Sequence, residues 1–269
     1  MPEPLFKRLA LVGIGLIGSS VARIAKDRGD LAAEIVVNAR TQKTLDRVMQ
    51  LGIADRVELD PGLAVQGADC VMLCAPVGAF ADLAAKIAPH LADGAILTDV
   101  GSTKVSVIRD VGPLVPEGVH FVPAHPIAGT EATAVEKIAE LWRRCGSMVE
   151  IMEPGHHDRV LAIVSHLPHL IAFTICGTAD DLEDESREEV LKFAASGFRD
   201  FTRIAASDPV MWRDIFLNNR DALLEMLARF MEDAQAMSRA VRWGDGVYIE
   251  DKVKRSRLIR QSLIELKQA

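Results

Sequence analysis

Short apolar runs alternate with amphipathic stretches from the N-terminus to about residue 152, which is the pattern of a parallel α/β sheet. Runs that are apolar at every position, such as 71–75, are typical of strands covered on both faces. The pattern predicts strands at Leu9–Val12, Ile35–Asn38, Val71–Ala75, Ile96–Asp99, His120–Ala124 and Met148–Met152. It predicts helices between most of them, including Gly18–Arg28, Thr41–Leu51 and Phe80–Leu91.

From Glu153 the strand-like runs stop and long amphipathic stretches follow. They predict helices over Pro154–Asp180, Glu185–Ala195, Pro209–Trp243 and Ile249–Lys267. A helix as long as the third is often buried against a second copy of the chain. We therefore expect two domains, 1–152 and 153–269, of which the second is all-α and forms a homodimer.

A glycine-rich turn joins the first predicted strand to the first predicted helix. In this GxGxxG pattern Gly13 allows a tight turn, Gly15 lets the backbone approach a pyrophosphate, and Gly18 lets helix and strand pack closely. The N–H groups at the helix start would then face the phosphates. The turn predicts a Rossmann-type dinucleotide-binding domain whose first cofactor contacts are Gly13, Gly15, Leu16, Ile17 and Gly18.

The end of the second strand bears on the choice of cofactor. An acidic residue here would bind the ribose 2′-hydroxyl of NAD, but the chain has Asn38, Arg40 and Thr41 instead. Arg40 and Thr41 suit a 2′-phosphate, so NADP is favoured over NAD, although a solvated Arg40 is the alternative. Ala75 and Pro76 follow the next buried strand and are expected to contact the same cofactor.

Composition narrows the possible partners of the chain. With 49% hydrophobic and 26% charged residues among 269, the chain is neither disordered nor fibrous. A net charge of −7 argues against nucleic acid and anionic membranes as partners. No apolar run is expected to reach the length that a membrane span needs, and the four cysteines contain no CxxC pair. A reduced cytoplasmic protein acting on a small molecule is expected.

Four polar motifs follow in series: DVGSTK at 99–104, HPIAGTE at 125–131, SHLPH at 165–169, and DFTRIA at 200–205 with SDPVMWRD at 207–214. Together they resemble the prephenate and arogenate dehydrogenases of tyrosine biosynthesis, and the resemblance covers nearly the whole chain. It implies oxidative decarboxylation of a cyclohexadienol: hydride leaves C4 for the nicotinamide while the C1 carboxylate leaves as CO2.

The resemblance also assigns roles to residues. It implies that His125 takes the proton of the C4 hydroxyl, that Ser102 is its partner, and that Arg203 binds the ring carboxylate. Further substrate contacts are implied at His169, Thr130, Glu131 and Trp212. Prephenate carries a keto oxygen where arogenate carries an ammonium, and Glu131 would attract the ammonium. We therefore expect arogenate to be accepted, alone or beside prephenate.

Other residues have simpler interpretations. His166 is equally suited to the core and to a functional role, whereas His156 and His157 are expected on the solvated surface. His166 and His169 share a helix face, but no third ligand follows at a convincing spacing, so no metal is expected.

Two other functions remain open from the sequence. One is a Rossmann reductase of the β-hydroxyacid dehydrogenase or pyrroline-carboxylate reductase type, and the other is a nucleotide-sensing binding module. The chain also departs from the family that it resembles, because roughly two dozen residues expected after Glu131 are missing.

Overall fold

The computed structural model describes residues 3–125, 132–182, 189 and 192–266. Six parallel strands form one sheet in the order β3-β2-β1-β4-β5-β6, which is the Rossmann order. The α/β fold class predicted from the sequence is therefore confirmed. The strands are β1 (Phe6–Val12), β2 (Ala32–Asn38), β3 (Arg56–Glu58), β4 (Cys70–Leu73), β5 (Ile96–Asp99) and β6 (His120–Val122).

Six α-helices accompany the sheet in the described part of the chain, and six more follow it. The first six are α1 (Leu16–Arg28), α2 (Gln42–Gln50), α3 (Pro61–Val65), α4 (Phe80–Ile87), α5 (Val105–Val111) and α6 (Ala132–Arg144). The rest are α7 (Pro154–Leu161), α8 (Leu167–Asp180), α9 (Ser196–Thr202), α10 (Pro209–Asn218), α11 (Arg220–Trp243) and α12 (Gly246–Glu265). The predicted helix Glu185–Ala195 falls largely outside the described residues.

Two hydrophobic clusters cover the two faces of the sheet. Alternate residues of β1 belong to different clusters: Leu9 and Leu11 pack with apolar residues of α1, α2 and α6, whereas Ala10 and Val12 pack with those of α4 and α5. Successive side chains of a strand point to opposite faces, so a strand covered on both sides must be apolar throughout. This double burial explains the continuous apolar runs that predicted the sheet.

Two strand predictions at the sheet edges were wrong. Met148–Met152 forms no strand, because it runs beside α6 without a partner strand and leaves Met148 and Ile151 exposed. Strand β3 was missed, because its three residues are all only half-buried and give no apolar run. The last strand also ends at Val122 rather than Ala124.

A π-helical turn, 162–166, joins α7 to α8, and the N–H of Leu167 donates to the carbonyl of Ala162 five residues back. Pro168 follows at once; it has no N–H, and its ring crowds the preceding turn of a regular helix, so the wider turn accommodates it. The helical run 154–180 is also apolar and long enough to cross a membrane, with a mean hydropathy of 1.8 in its most apolar window. The expectation of no such stretch was therefore wrong, although core helices of soluble proteins pass the same test.

The helix predicted over Pro209–Trp243 is interrupted at Asn219, where the backbone leaves helical geometry at φ −112° and ψ 31°. By its internal contacts the chain divides into two compact units, residues 1–222 and 223–269. In the second unit Lys252 of α12 pairs with Asp233 of α11 at 2.8 Å. The domain boundary predicted at 152/153 stays a prediction.

The glycine turn is held by close backbone packing. Gly13 has φ +99°, and a Cβ there would lie 2.8 Å from the carbonyl carbon of Cys74 and 2.9 Å from the nitrogen of Ala75. A Cβ on Gly18 would lie 3.0 Å from the Cβ of Cys74, so this glycine sets the distance between α1 and the end of β4. Gly15 has space, since a Cβ there would meet nothing closer than 3.8 Å.

We expect Gly13→Ala to lower the free energy of unfolding by at least about 2 kcal/mol, because the methyl group meets fixed backbone and φ is positive. Gly15→Ala is the matched control and should cost less than about 1 kcal/mol. Urea denaturation at fixed protein concentration measures both. Equal losses in the two variants would contradict the packing explanation.

Candidate active site

Most of the predicted site residues follow strands at one edge of the sheet. Val12 pairs in register with Asn38 and Leu73, and Leu73 pairs with Asp99, so these strands end level. The glycine turn, Ala75 and Pro76, the loop that carries Ser102, and His125 all continue from this edge. Cofactors bind at the carboxyl edge of a doubly wound sheet. The topology therefore brings the predicted cofactor contacts and the predicted catalytic residues to one place.

The start of α1 is suited to a negatively charged ligand. Gly15 precedes the helix without a capping side chain, and its first turn contains no acidic residue. The first N–H groups of a helix lack partners within it and attract anions. Leu16 is 90% exposed and Ile17 is also exposed, so this end of the helix is open to solvent.

The three residues predicted after β2 have different surroundings. The Asn38 side chain is buried and donates to the carbonyl oxygens of Glu58 and Leu59, both at 3.0 Å, so it ties β2 to β3. Thr41 caps α2 by accepting from the N–H of Thr44 at 3.2 Å. Arg40 is exposed and makes no ion pair or hydrogen bond with any residue that the structure describes.

A groove beside the glycine turn was not anticipated. It has an apolar floor with two cationic side chains, and it is lined by Ile14, Ser19, Lys43, Thr44, Arg47, Val48, Leu51 and Ile53. Lys43 and Arg47 lie four residues apart on one helix face. That spacing, directly after Arg40, was the signal that could have found the groove from the sequence.

A buried ion pair lies under the next part of the site. Lys104 and Asp99 are both fully buried, and the Lys104 Nζ donates to the Asp99 carboxylate and, at 2.8 Å, to the carbonyl oxygen of Ala124. The carboxylate also accepts from the N–H groups of Gly101 at 2.7 Å and Ala124 at 3.0 Å. Burial raises the pKa of Asp99 and lowers that of Lys104, while their attraction opposes both shifts.

Asp158, near the start of α7, caps the start of α5 from outside that helix. Its two carboxylate oxygens accept from the N–H groups of Lys104 at 2.7 Å and Val105 at 2.9 Å. Burial would raise the pKa of Asp158, but its hydrogen bonds to His157 and to these two N–H groups hold it below the ordinary value. The C-terminal helices are thus joined directly to the loop that carries Ser102.

His125 contacts a second histidine. Its Nδ1 lies 3.1 Å from Nε2 of His157, whose own Nδ1 lies 2.9 Å from Asp158. His157 is fully buried, so the expectation that it lies on the surface was wrong; His156 is exposed as expected. Burial, and then the charge of Lys104, lowers the pKa of His125 to about 3, so the imidazole is neutral at neutral pH.

His166 is also a core residue with a specific partner. Its Nδ1 lies 2.9 Å from the amide nitrogen of Asn219, which also donates to the carbonyl oxygen of Asp158 at 2.8 Å. Nε2 of His166 and Nε1 of Trp212 are buried, and neither has a protein partner within the described residues. Burial lowers the pKa of His166 to about 4. Asn219 was missed because its role depends on a helix break that the hydrophobic pattern does not show.

His169 and Trp212 form an aromatic wall. Their rings stack with centroids 3.7 Å apart, and Phe173 and Phe216 pack around the indole. Arg203 is exposed on the turn Arg203–Ala206, which packs against the helix that carries His169. Ser102 is half-buried in the loop before Lys104.

Thr130 and Glu131 lie outside the described residues. Of the remaining predicted residues, the structure links His125, His169 and Trp212 through one continuous set of contacts made by His157, Asp158, Asn219 and His166. The sequence signal for the linking residues was weak: His157 and Asp158 are adjacent in α7, and His166 follows in the same helical run.

Comparisons with known proteins agree on one family. The model of the prephenate dehydrogenase nucleotide-binding domain matches residues 21–149, and the model of the prephenate dehydrogenase dimerization domain matches residues 153–254. The crystal structure of the A. aeolicus prephenate dehydrogenase with hydroxyphenyl propionate and NAD+ superimposes with a TM-score of 0.86 at 27% identity. That superposition covers 96% of this chain and 98% of the other.

Curated relatives are similar over most of their length. The cyclohexadienyl dehydrogenase of Zymomonas mobilis is 37% identical over 287 aligned positions, covering 96% of this chain and 97% of the relative. The prephenate dehydrogenase of Lactococcus lactis is 30% identical over 96% of this chain and 77% of its own. Since 287 positions exceed the 269 residues here, the first relative contains residues that this chain lacks.

We expect Lys104→Met to lower the free energy of unfolding by about 3–5 kcal/mol near pH 8, because it leaves the buried Asp99 carboxylate without its counterion. Without Lys104 the raised pKa of Asp99 rises further. A group whose pKa is raised on folding stabilises the folded state only while it is protonated. The loss of unfolding free energy in Lys104→Met should therefore shrink as the pH is lowered toward about 5. Urea denaturation at the two pH values measures this.

The double variant Asp99→Asn/Lys104→Met is the control, because it removes both charges. It should recover at least half of the lost stability near pH 8. A double variant as unstable as Lys104→Met alone would show that the charge of Asp99 is not the cause.

Proposed function

This chain belongs to the prephenate dehydrogenase family of NAD(P)-dependent oxidoreductases, and we propose that His125 is the general base of its reaction. The reaction is the oxidative decarboxylation of prephenate or arogenate. C4 gives up a hydride, for which NAD(P) would be the acceptor, and the C4 hydroxyl transfers its proton to the base. The C1 carboxylate leaves as CO2 while its bonding electrons complete the aromatic ring, and the base returns the proton to the C4 oxygen, which gives the phenol.

The single observation that carries this assignment is the position of His125. It follows β6 at the carboxyl edge of the sheet, where the cofactor of a doubly wound fold lies. A neutral imidazole can accept the hydroxyl proton. Ser102, at the same edge, is proposed to hydrogen-bond the hydroxyl, and NAD(P) supplies the hydride acceptor when bound.

The helical residues are proposed to hold the substrate. Arg203 has an exposed guanidinium without a partner among the described residues, which suits a bidentate contact to the ring carboxylate. The stacked His169 and Trp212 suit the ring and side chain of the substrate. Thr130 and Glu131 complete the proposed set, with Glu131 attracting the ammonium of arogenate.

NADP is proposed as the preferred cofactor. Arg40 is exposed two residues after the end of β2, and Lys43 and Arg47 of the following helix line the groove beside the glycine turn. Gly13, Gly15, Leu16, Ile17 and Gly18 are proposed to face the pyrophosphate, with Ala75 and Pro76 beside the nicotinamide. Thr41 is also proposed at the 2′-phosphate. Asn38 is proposed to lie beside the cofactor without a side-chain contact to it, because its side chain already donates to the carbonyl oxygen of Glu58 in β3.

The partners follow from the second unit of the chain. The family's dimerization domain matches residues 153–254, which include the first part of this unit. Helices α11 and α12 leave large apolar side chains exposed, among them Phe230, Met231, Leu258 and Ile259. We propose a cytoplasmic homodimer that these side chains stabilise, without a nucleic-acid or membrane partner. The family membership favours this dehydrogenase over the other Rossmann reductases and over a nucleotide-sensing module.

We expect the purified protein to produce reduced nicotinamide from prephenate or arogenate. Absorbance of the reduced cofactor, recorded for each substrate with NAD and with NADP, measures both preferences in one set of assays. His125→Asn should lower kcat about 10²- to 10⁴-fold, the usual contribution of a general base. Cofactor binding by both proteins without turnover in any combination would instead favour the binding module.

We expect Arg40→Ala to raise the KM for NADP about tenfold or more, which is the effect of losing a hydrogen bond to a charged group. NAD has no 2′-phosphate and is the internal control, so its KM should change by less than about twofold. Steady-state kinetics with both cofactors measures the difference. Parallel changes in the two KM values would rule out the proposed contact.

A further inference from the structure

A line of three buried or half-buried side chains ends at the proposed base. We propose that His157 and Asp158 are positioning residues that keep the proton of neutral His125 on Nδ1, so that Nε2 is the atom that accepts the substrate proton. The proposal deepens the function proposed above and rests on it. Its geometry consists of the 3.1 Å contact between the histidines and the 2.9 Å contact from His157 to Asp158.

Asp158 sets which atom donates in each hydrogen bond of this line. Its carboxylate accepts from the N–H groups of Lys104 and Val105, and its pKa is held low, so it is ionised and can only accept. Nδ1 of His157 must therefore donate to it. The proton of a neutral His157 is then on Nδ1, and Nε2 offers a lone pair.

That lone pair fixes the tautomer of His125. Nδ1 of His125 faces Nε2 of His157, so Nδ1 must donate, and Nε2 of His125 is left without a proton. The opposite direction would need protons on both ring nitrogens of fully buried His157. The arrangement with one proton on each ring satisfies both contacts without a buried charge on either imidazole.

The tautomer matters because only one ring nitrogen of a neutral imidazole can act as a base. An imidazole without a partner can exchange tautomers or turn over, and either change would present an N–H to the substrate hydroxyl. After proton transfer, the Nδ1–H of the imidazolium still faces His157 and, through it, the negative charge of Asp158. The line thus stabilises both the reactive tautomer and its product.

Two substitutions at position 157 separate positioning from packing. His157→Gln places an amide near the position of Nε2 and keeps an acceptor for His125. His157→Asn places its amide near the position of Nδ1, so it keeps a donor for Asp158 but offers no acceptor to His125. Both put a neutral amide into the same buried space, so each is the stability control of the other.

We expect His157→Asn to lower kcat at least about tenfold relative to His157→Gln, with the KM of prephenate changed less than about threefold in both and similar unfolding temperatures. In ¹⁵N-histidine NMR spectra of the wild type, His125 should show a protonated Nδ1 and an unprotonated Nε2. The His157→Asn variant should show a mixture of tautomers.

Three results would overturn the proposal: equal kcat values for the two variants, a wild-type spectrum with the proton of His125 on Nε2, or an unchanged His125 tautomer in His157→Asn. Failure of the proposed function is a different result. In that case the wild type has no turnover, while the NMR spectrum still reports the tautomer.

Discussion

The carboxylate of Asp158 is the interaction on which the site depends. It satisfies two N–H groups at the start of α5 and the Nδ1–H of His157, while the backbone carbonyl of the same residue accepts from Asn219. One residue near the start of α7 therefore holds the loop after β5, His157 beside His125, and the break between α10 and α11 in place relative to one another. A buried carboxylate with this many donors is held in one position, because each lost donor would leave a buried charge less compensated.

The two ends of the site are built by different means. At the cofactor end the site is formed mainly by the backbone, through a glycine turn with positive φ, an uncapped helix start, and strands that end level. At the proposed substrate end, His157 and Asp158 of α7 meet the loops at the edge of the sheet through buried polar contacts, and Asn219 and His166 pack behind them. The backbone-built end therefore depends on its glycines more than on its side chains. The other end depends on each residue of its buried polar contacts.

This contrast explains what the sequence could predict. The sheet and the glycine turn were predictable because their signals are local: continuous apolar runs, and glycines at fixed spacing after a strand. His157 and Asn219 were not, because their environments arise only when α7 packs on α5 and α10 ends beside it. The false strand at Met148–Met152 has the same origin, since apolar composition alone does not supply a neighbouring strand.

The π-helical turn between α7 and α8 sets the rotational phase of the two helices. Such a turn holds one residue more than a regular turn, so it absorbs that residue; if 162–166 wound as a regular α-helix with the same number of residues, α8 would be rotated by about 100° relative to α7. His169 and the helix face stacked on Trp212 would then turn away from the line that begins at His157. Ile163 and Val164 of this turn are exposed, so the burial of these two side chains does not fix the turn. The winding of the segment therefore sets the direction in which His169 faces.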